Sequence, residues 1–477
     1  MTSGVLRSPA CPAASPAVAL IEAETAQTLS HAQLERAVEE VGGQLAAAQK
    51  SLLFLFARND LASVVAYLAA LAQGHAVALL DADASPALRG RLLARYRPRF
   101  VWQPAGVTLA ETPELAAGVE LAGWRGGRCF RCEPAPGPIH PELGVLLSTS
   151  GTTGSPKLVR LARSAVAANA GAIAAGLGLS PADRSITSLP LCYAYGLSVL
   201  NSHLWAGGSL VLTGAGTVER RFWDALRDYQ CCSFAGVPYT YQMLHRLGFD
   251  HFDAPSLRVL TQAGGKLEPR LVRYFHERMA ARGGRFYVMY GQTEAVARIA
   301  ILPPERLPEK LGSVGQVLAG GELSIDAGAA PAGSPPGVGE VVYRGPNVML
   351  GYAESAADLS RGDELGGQLR TGDLGYLDAD GLLFLTGRSK RIGKLFGLRV
   401  SLDEVEEMVH ERGPAAVIQD GDRLLVFCAF GDAALLDGVQ RELAARLRVH
   451  RSGLELRRVE ALPTLASGKV DYQRLSA

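Results

Sequence analysis

The chain has 477 residues, which is more than one compact core usually holds and predicts two or three domains. Hydrophobic residues make up 48% and charged residues 20%, a composition that excludes a disordered chain. Lys and Arg total 48 and Asp and Glu total 47, so the net charge of +1 provides no overall field to attract nucleic acid or an anionic membrane.

The first three hundred residues alternate between helix-like and strand-like patterns. Ser30 and Gln33 have the spacing of a capping box before a helix with one apolar face. Residues 52–56 are apolar throughout and predict a strand buried on both faces. Residues 64–80 are the most apolar stretch, but a polar interruption at 73–75 predicts a buried helix and strand instead of a membrane span. Further strand candidates are residues 77–80, 145–147, 210–212, 259–260 and 286–289.

This alternation predicts an α/β fold with parallel sheets and crossover helices. After about residue 310, frequent Gly and Pro with short strand signals predict a β-rich layer. The last stretch predicts helices over 402–410 and near 433–447, with strands near 416–418 and 424–430. We therefore predict a large N-terminal domain of layered sheets flanked by helices, including that layer, over residues 1–389. A small mobile C-terminal α+β domain is predicted over 390–477.

The most informative segment is a loop rich in small hydroxyl residues and glycine, directly after the strand candidate at 145–147. Glycine lets backbone N–H groups approach an anion, hydroxyls donate hydrogen bonds, and an ammonium group neutralises charge. The loop is not a Walker A motif, because Pro156 precedes the lysine and Leu158 follows it. It predicts a phosphate-binding loop, with a flexible polar loop as the alternative. The candidate residues are Thr149, Ser150, Gly151, Thr152, Thr153, Gly154 and Lys157.

This loop resembles the phosphate loop of the adenylate-forming superfamily, which comprises acyl-CoA synthetases, adenylation domains of nonribosomal peptide synthetases and firefly-type luciferases. Further segments that resemble family motifs follow in the family's order up to residue 471. The resemblance implies an AMP-forming acid–thiol ligase with ATP and Mg²⁺. Such an enzyme activates a carboxylic acid to an acyl-adenylate, releases pyrophosphate, and passes the acyl group to the thiol of CoA or of a carrier protein's phosphopantetheine.

Two further segments resemble nucleotide-binding motifs of this superfamily. By that resemblance, Thr293 hydrogen-bonds the α-phosphate and Glu294 holds Mg²⁺, and a carboxylate beside a hydroxyl suits a hard cation that bridges phosphates. A solvated turn is the alternative. The remaining candidates in these segments are Tyr290, Gly291 and Gln292, together with Gly264, Gly265 and Lys266, which resemble the stretch against adenine.

Later motifs supply the ribose contacts and the hinge. Asp373 matches the aspartate that accepts hydrogen bonds from both ribose hydroxyls, and a carboxylate suits a vicinal diol because it only accepts. The alternative is an Asx-type turn. By resemblance, Arg388 contacts ribose and Lys390 occupies the hinge. The cations of residues 388–399 could instead form a nucleic-acid patch, which the lack of interleaved aromatic residues disfavours.

Two lysines complete the set of catalytic candidates, which also includes Thr293 and Glu294. Lys469 lies in a segment that resembles the terminal motif, whose lysine enters the active site when the small domain closes. In the second step, the transfer to the thiol, enzymes of this family rotate the small domain. By resemblance, Lys394 would then face the acyl-adenylate.

Four residues are candidates for the acyl pocket: Tyr193, Ala194, Phe234 and Gly236. In the amino-acid-activating branch an aspartate near Ala194 pairs with the substrate ammonium, and a buried ammonium without a carboxylate is costly. An ordinary α-amino acid is therefore disfavoured. The mixture of aromatic and small residues predicts an aryl or medium-length acyl group, with core packing as the competing account.

Three other functions stay open. These are a stand-alone amino-acid adenylation enzyme that loads a separate carrier protein, a ligase that passes the adenylate to an amine, and a nucleotide-binding regulatory protein without turnover. Both candidate lysines and Glu294 argue against the last of these. We expect a small-molecule acid, and a separate carrier protein or CoA, as partners, without nucleic acid or membrane. Seven scattered cysteines predict a reducing cytoplasm rather than a disulfide scaffold.

Overall fold

The structure is a computed structural model that describes residues 15–107, 118–148, 157–329, 335–388, 391–395, 398–421, 423–447, 449–465 and 469–476. The described residues form two compact units. The first contains the residues up to Leu311 together with Val317–Gly321 and Arg344–Leu369. The second contains Gly312–Gln316, Glu322–Tyr343 and the residues from Arg370 onward. The domain boundary between residues 389 and 390 stays a prediction, and both residues lie outside the described ranges.

Strands and helices are numbered in chain order. The strands are β1 (Val18–Glu22), β2 (Gln27–Ser30), β3 (Leu52–Ala57), β4 (Ala76–Asp81), β5 (Phe100–Gln103), β6 (Val119–Trp124), β7 (Gly127–Arg131), β8 (Leu143–Ser148), β9 (Leu158–Ala162), β10 (Arg184–Ile186), β11 (Ser209–Leu212), β12 (Ser233–Gly236), β13 (Val259–Gln262), β14 (Arg285–Tyr290), β15 (Ala300–Leu302), β16 (Ser313–Val317), β17 (Glu322–Asp326), β18 (Gly339–Arg344), β19 (Gly351–Ala353), β20 (Gln368–Leu377), β21 (Leu383–Arg388), β22 (Ile392–Leu395), β23 (Leu398–Ser401), β24 (Ala415–Asp420), β25 (Arg423–Cys428) and β26 (Leu454–Arg458). The helices are α1 (His31–Gln44), α2 (Leu61–Ala72), α3 (Pro86–Tyr96), α4 (Arg163–Leu177), α5 (Ala194–Trp205), α6 (Arg220–Asp228), α7 (Pro238–Leu247), α8 (Pro269–Ala281), α9 (Leu402–His410), α10 (Ala433–Leu447) and α11 (Tyr472–Ser476).

The N-terminal elements form where the sequence predicts them. The Ser30 hydroxyl accepts a hydrogen bond from the Gln33 N–H at 3.2 Å, and the Gln33 side chain accepts one from the Ser30 N–H at 2.8 Å, so the capping box starts α1. Strand β3 is buried throughout, as predicted from its continuous apolar run. Residues 64–80 divide into the end of α2 and most of β4. None of the helices in the described ranges is long and apolar enough to cross a bilayer.

Strands of the first unit pair in the orders β15-β14-β13-β12-β10-β11-β1-β2 and β19-β9-β8-β4-β3-β5-β7-β6. Strands β12, β13 and β14 are parallel, with Gly236 beside Gln262 and Gln262 beside Val288. Their carboxyl ends therefore lie at one edge, the usual place for a ligand site in such sheets. The pairs β8–β9 and β14–β15 are antiparallel, whereas only parallel pairing was predicted. A short connection between neighbouring strands allows antiparallel pairing without a crossover helix.

In the second unit, strands pair in the orders β17-β18-β20-β21-β16, β22-β23 and β24-β25-β26. Helices α9 and α10 share an apolar core with the last of these sheets, through residues such as Val405, Val426 and Leu443. The predicted helices and strands near the C-terminus are present. The prediction of an α/β fold with a large N-terminal region and a β-containing C-terminal region is confirmed.

One polar cluster joins the start of β22 to α9 within the second unit. The Arg391 guanidinium donates to Asp403 and, at 2.7 Å, to Glu406. It also donates at 2.7 Å to the Val417 carbonyl, while the Tyr472 hydroxyl donates to Glu406 at 3.0 Å. These side chains are mostly buried, so each charge depends on its partners for the hydrogen bonds that water would otherwise supply.

We expect Glu406→Gln to lower the free energy of unfolding by about 3 kcal/mol, because it leaves the buried Arg391 charge less well compensated. Urea denaturation of the full chain measures this loss. The matched control is Glu442→Gln, which breaks the exposed Arg412–Glu442 pair and should cost less than about 1 kcal/mol. Equal losses in the two variants would contradict a structural role for the buried cluster.

Candidate active site

The segments that follow β13 and β14 bring predicted nucleotide-binding residues to the same edge of the sheet. Residues 264–266 come directly after β13, and residues 291–294 directly after β14. Thr293 and Glu294 begin a short 3-10 helix at this edge and are half-buried. Lys266 is exposed, whereas Tyr290 is buried at the end of β14. The parallel register thus joins two motifs that are about thirty residues apart in the sequence.

Glycine is required at two of these positions because the backbone approaches other atoms closely. Gly264 has φ +86°, and a Cβ there would lie 2.7 Å from the Tyr193 hydroxyl. A Cβ on Gly291 would lie 1.9 Å from the Ala297 carbonyl oxygen. A side chain at Gly264 would be strained by the positive φ and would press on Tyr193, whereas one at Gly291 would force two backbone segments apart. The first contact also brings an acyl-pocket candidate, Tyr193, against the predicted adenine stretch.

Glu294 is connected to Lys157 through Tyr352. The Tyr352 hydroxyl donates a hydrogen bond to Glu294 Oε1 at 2.9 Å. Burial, together with the Glu294 charge, raises the pKa of Tyr352 above its usual value, so the hydroxyl keeps its proton and donates. Lys157 Nζ lies 5.4 Å from the centre of the Tyr352 ring and 3.2 Å from Glu354 Oε1. The lysine that ends the predicted phosphate loop therefore lies against the ring of the residue that binds the predicted metal carboxylate.

Strand pairing produces this arrangement. Strand β19 pairs with β9 in antiparallel register, with Tyr352 opposite Val159. Strands β8 and β9 also pair, with Ser148 opposite Leu158. The predicted phosphate-loop residues between them, from Thr149 to Gly154, lie outside the described residues. The sequence analysis did not identify Tyr352, although its position after Gly351 in a recognisable segment was the available signal.

In the second unit, the two predicted ribose residues form an ion pair. Arg388 Nε donates to Asp373 Oδ1 at 2.9 Å, and the two residues lie opposite each other in β20 and β21. The Asp373 side chain is 7% exposed and that of Arg388 59% exposed. Asp373 lies within a strand, so the alternative of an Asx-type turn is wrong.

The two candidate lysines are also in the second unit. Lys469 is half-buried, and its carbonyl accepts a hydrogen bond from the Leu465 N–H at 2.8 Å. The neighbouring residues Thr464 and Val470 form an isolated antiparallel β-bridge. Lys394 lies in β22, paired with Arg399 of β23. Lys390, the predicted hinge, lies outside the described residues. The approach of Lys469 and Lys394 to an acyl-adenylate stays a prediction.

Strand β12 places the acyl-pocket candidates Phe234 and Gly236 on one face of the sheet and Ala235 on the other, because side chains alternate along a strand. The Phe234 ring packs edge-on against Phe222 at 5.6 Å and Trp223 at 5.8 Å, and a Cβ on Gly236 would lie 2.7 Å from the Tyr241 ring. Ala235 instead packs with residues of α4 and α5. Ala194 is buried at the start of α5.

A small cavity of about 20 Å³ lies between α4, α5 and strands β12–β14. Phe234 and Ala235 are among its lining residues, together with polar residues that the sequence analysis did not identify, among them His203, Ser233 and Arg298. A signal was available, because Arg298 is the only charged residue in the run 295–302.

Comparison with known proteins identifies the family. The AMP-binding enzyme family matches residues 10–353. An oxalate–CoA ligase of Arabidopsis thaliana is 34% identical over 276 residues, which are 57% of this chain and 53% of that enzyme, so the match spans about half of the relative's length. An indoleacetate–CoA ligase of Aromatoleum aromaticum is 30% identical over 399 residues, which are 78% of this chain and 76% of that enzyme.

A solved structure agrees with these sequence matches. The O-succinylbenzoate CoA synthetase of Bacillus subtilis, solved in complex with AMP, is 25% identical with a TM-score of 0.74, and the match covers 95% of this chain and 94% of that one. The same enzyme has been solved with ATP and a magnesium ion. The predicted resemblance to adenylate-forming enzymes is thereby confirmed, and the chain belongs to the family of AMP-binding enzymes.

Proposed function

We propose that this protein is an AMP-forming acid–thiol ligase that activates a carboxylic acid with ATP and transfers the acyl group to CoA. The observation that carries the proposal is the Glu294 carboxylate, bound by Tyr352 beside Lys157, at the sheet edge where the predicted adenine stretch also lies. The named relatives are CoA ligases, which supports the thiol of CoA as the acceptor.

In the first step, an oxygen of the acid attacks the α-phosphorus of ATP. The bond from that phosphorus to the bridging oxygen breaks, and pyrophosphate leaves. Two anions must approach each other, so positioning and charge neutralisation dominate catalysis. We assign phosphate contacts to Thr293, Lys157 and the loop from Thr149 to Gly154, and ribose contacts to Asp373 and Arg388.

The residues present fit a magnesium ion. Mg²⁺ on a nucleotide usually takes one or two carboxylates from the protein and fills its remaining positions with phosphate oxygens and water. Glu294 is half-buried at the sheet edge and supplies one such carboxylate. Among the described residues, no three or more His, Cys, Asp or Glu form a group that could hold a metal by themselves. When bound, Mg²⁺ supplies positive charge to the phosphate oxygens.

In the second step, the thiol sulfur attacks the acyl carbon. The carbon–sulfur bond forms, AMP leaves with its phosphate oxygen, and the thiol proton passes to solvent. We assign Lys394 to the acyl-adenylate in this step and Lys390 to the hinge that rotates the small domain. A carrier-protein phosphopantetheine as the acceptor, and a cytoplasmic location, remain parts of the proposal that rest on sequence reasoning.

Pyrophosphate release measured with a panel of carboxylic acids, with and without CoA, tests this function. We expect pyrophosphate, AMP and acyl-CoA in equal amounts when a suitable acid and CoA are present. Acid-dependent pyrophosphate without any thioester would identify an enzyme that passes the adenylate to another acceptor. Binding of ATP without pyrophosphate release for any acid would identify a regulatory protein and contradict the proposal.

We expect Tyr352→Phe to lower the rate of ATP–pyrophosphate exchange about tenfold, because the charged Glu294 carboxylate loses the hydrogen bond that the Tyr352 hydroxyl donates. The apparent affinity for Mg²⁺ should fall as well, since the carboxylate loses its fixed orientation. The control is Tyr274→Phe on α8, which removes a hydroxyl away from the site. Exchange unchanged in Tyr352→Phe would show that the hydrogen bond does not matter for the reaction.

We expect Lys469→Ala to lower adenylate formation by about 10²–10³-fold, because the transition state loses a charged donor. Thioester formation from a supplied acyl-adenylate should be largely kept, since that step no longer needs the same charge. Single-turnover assays of each half-reaction measure both effects, with Arg474→Ala on the exposed face of α11 as the control. Equal loss of the two half-reactions would contradict this role.

A further inference from the structure

Among the described residues of the first unit, the side chains of Arg160 and Arg298 are both fully buried, and of these two only Arg160 has a counter-ion. Arg160 forms an ion pair with Glu364 at 3.1 Å and donates to the carbonyls of Tyr352 and Leu350. Arg298 has no carboxylate partner among the described residues, and burial lowers its pKa. A buried charge without a counter-ion is costly, so a protein retains one where something else supplies the compensation.

The contacts of Arg298 leave donors unused. Its guanidinium carbon lies 4.4 Å above the Tyr195 ring, and Nη2–H donates to the Ser198 hydroxyl at 3.3 Å, which is a long hydrogen bond. Its Nε–H has no partner. Stacking covers the face of the guanidinium, whereas the N–H donors point outward from its edge, so Tyr195 does not satisfy them.

Two further buried polar atoms without partners belong to residues that line the same cavity as Arg298. These are Ser233 Oγ and His203 Nε2, in residues that are 6% and 4% exposed. His203 Nδ1 lies 2.8 Å from the Val199 carbonyl and must carry the proton in that hydrogen bond. Burial lowers the pKa of His203, so Nε2 is an acceptor in the neutral ring. Three orphaned polar groups around one cavity indicate a ligand or water at this place.

The backbone next to Arg298 has an unusual conformation that is held by hydrogen bonds. Val296 and Ala297, the two residues before it, have φ +57° and +117°, conformations that non-glycine residues rarely adopt. The Arg298 carbonyl accepts hydrogen bonds from the side-chain amides of Asn169 at 2.8 Å and Asn347 at 3.0 Å. Local strain that is held in place by buried hydrogen bonds is typical of functional positions.

We propose that Arg298 is the specificity-determining residue of the acyl site and binds a second carboxylate, carried by the acid substrate at the end opposite the carboxyl group that is activated. This inference rests on the proposed function. A guanidinium binds a carboxylate with parallel hydrogen bonds, and Arg298 offers its free Nε–H for one of them. Ser233 can donate a further hydrogen bond to the same group. The cavity, at about 20 Å³, has room for about one water-sized group, such as one carboxylate oxygen.

The test compares acids in pairs that differ only in the second carboxylate, such as butanoate with succinate, hexanoate with adipate and benzoate with terephthalate. We expect the wild-type chain to give the higher kcat/KM for the dicarboxylate in at least one pair. Arg298→Met should lower the ratio of the two kcat/KM values by on the order of 100-fold or more, because the substrate's charge is left unpaired. Arg298→Lys should recover part of that ratio, since it keeps the charge.

The control is Arg184→Met, which replaces a half-buried arginine of β10 that donates to the Tyr229 carbonyl at 2.6 Å. It should leave the ratio unchanged. A ratio that also stays unchanged in Arg298→Met, with both acids affected equally, would assign Arg298 a structural role and overturn the proposal. A wild-type preference for the monocarboxylate in every pair would overturn it as well.

A binding measurement separates this proposal from the ligase function. The dicarboxylate should raise the unfolding midpoint of the wild-type chain but not that of Arg298→Met. If no acid supports pyrophosphate release, the proposed function is wrong, and an Arg298-dependent rise in the midpoint still supports the second-carboxylate site. If the dicarboxylate raises neither midpoint, or raises both equally, the site itself is wrong.

Discussion

The geometry around Glu294 depends on how Arg160 holds the segment that carries Tyr352. Arg160 is fully buried in β9 and binds the backbone of residues 350–362 as well as the Glu364 carboxylate. Gly351 permits this approach, because a Cβ at φ +134° would lie 2.1 Å from Glu364 and 2.7 Å from Arg160. Satisfying one buried charge therefore fixes β19 against β9 and orients the Tyr352 hydroxyl toward Glu294.

The first unit contains one buried arginine with a counter-ion, Arg160, and one without a counter-ion among the described residues, Arg298. The guanidinium of Arg160 is surrounded by acceptors, which offset part of the desolvation that lowers its pKa, and these contacts stabilise one arrangement of the chain. Arg298 keeps an unmatched charge, and the strained backbone before it adds about 1–3 kcal/mol for each unusual residue. Both costs lower the free energy of unfolding and stabilise no other part of the fold, which is typical of a residue retained for binding.

The sequence predicted elements where local signals were strong. The Ser30 capping box and the apolar run of β3 are local patterns, and both elements appear where expected. Asp373 and Glu294 were assigned by resemblance to motifs that follow in the family's order along the chain, and their roles stay predictions. Sequence signals were present at Tyr352 and Arg298 but did not indicate a role, because the roles come from contacts between residues up to about a hundred positions apart. Phe234 shows a further limit, because the sequence did not indicate which face of β12 its side chain takes, and its ring packs against Phe222. Its place in the acyl pocket stays a prediction.

The second unit restricts where a hinge can act. Asp373 holds Arg388 at the end of β21, while Asp403 and Glu406 on α9 hold Arg391. A rotation that broke either ion pair would leave mostly buried carboxylates without their partners, which costs more than rotating a few backbone dihedrals. A change in φ and ψ between residues 388 and 391 would keep both ion pairs, although it would break the hydrogen bond from the Arg391 N–H to the Arg388 carbonyl at 3.2 Å, so we expect the hinge there. The family resemblance implies a hinge at Lys390, within the same segment, and that hinge stays a prediction.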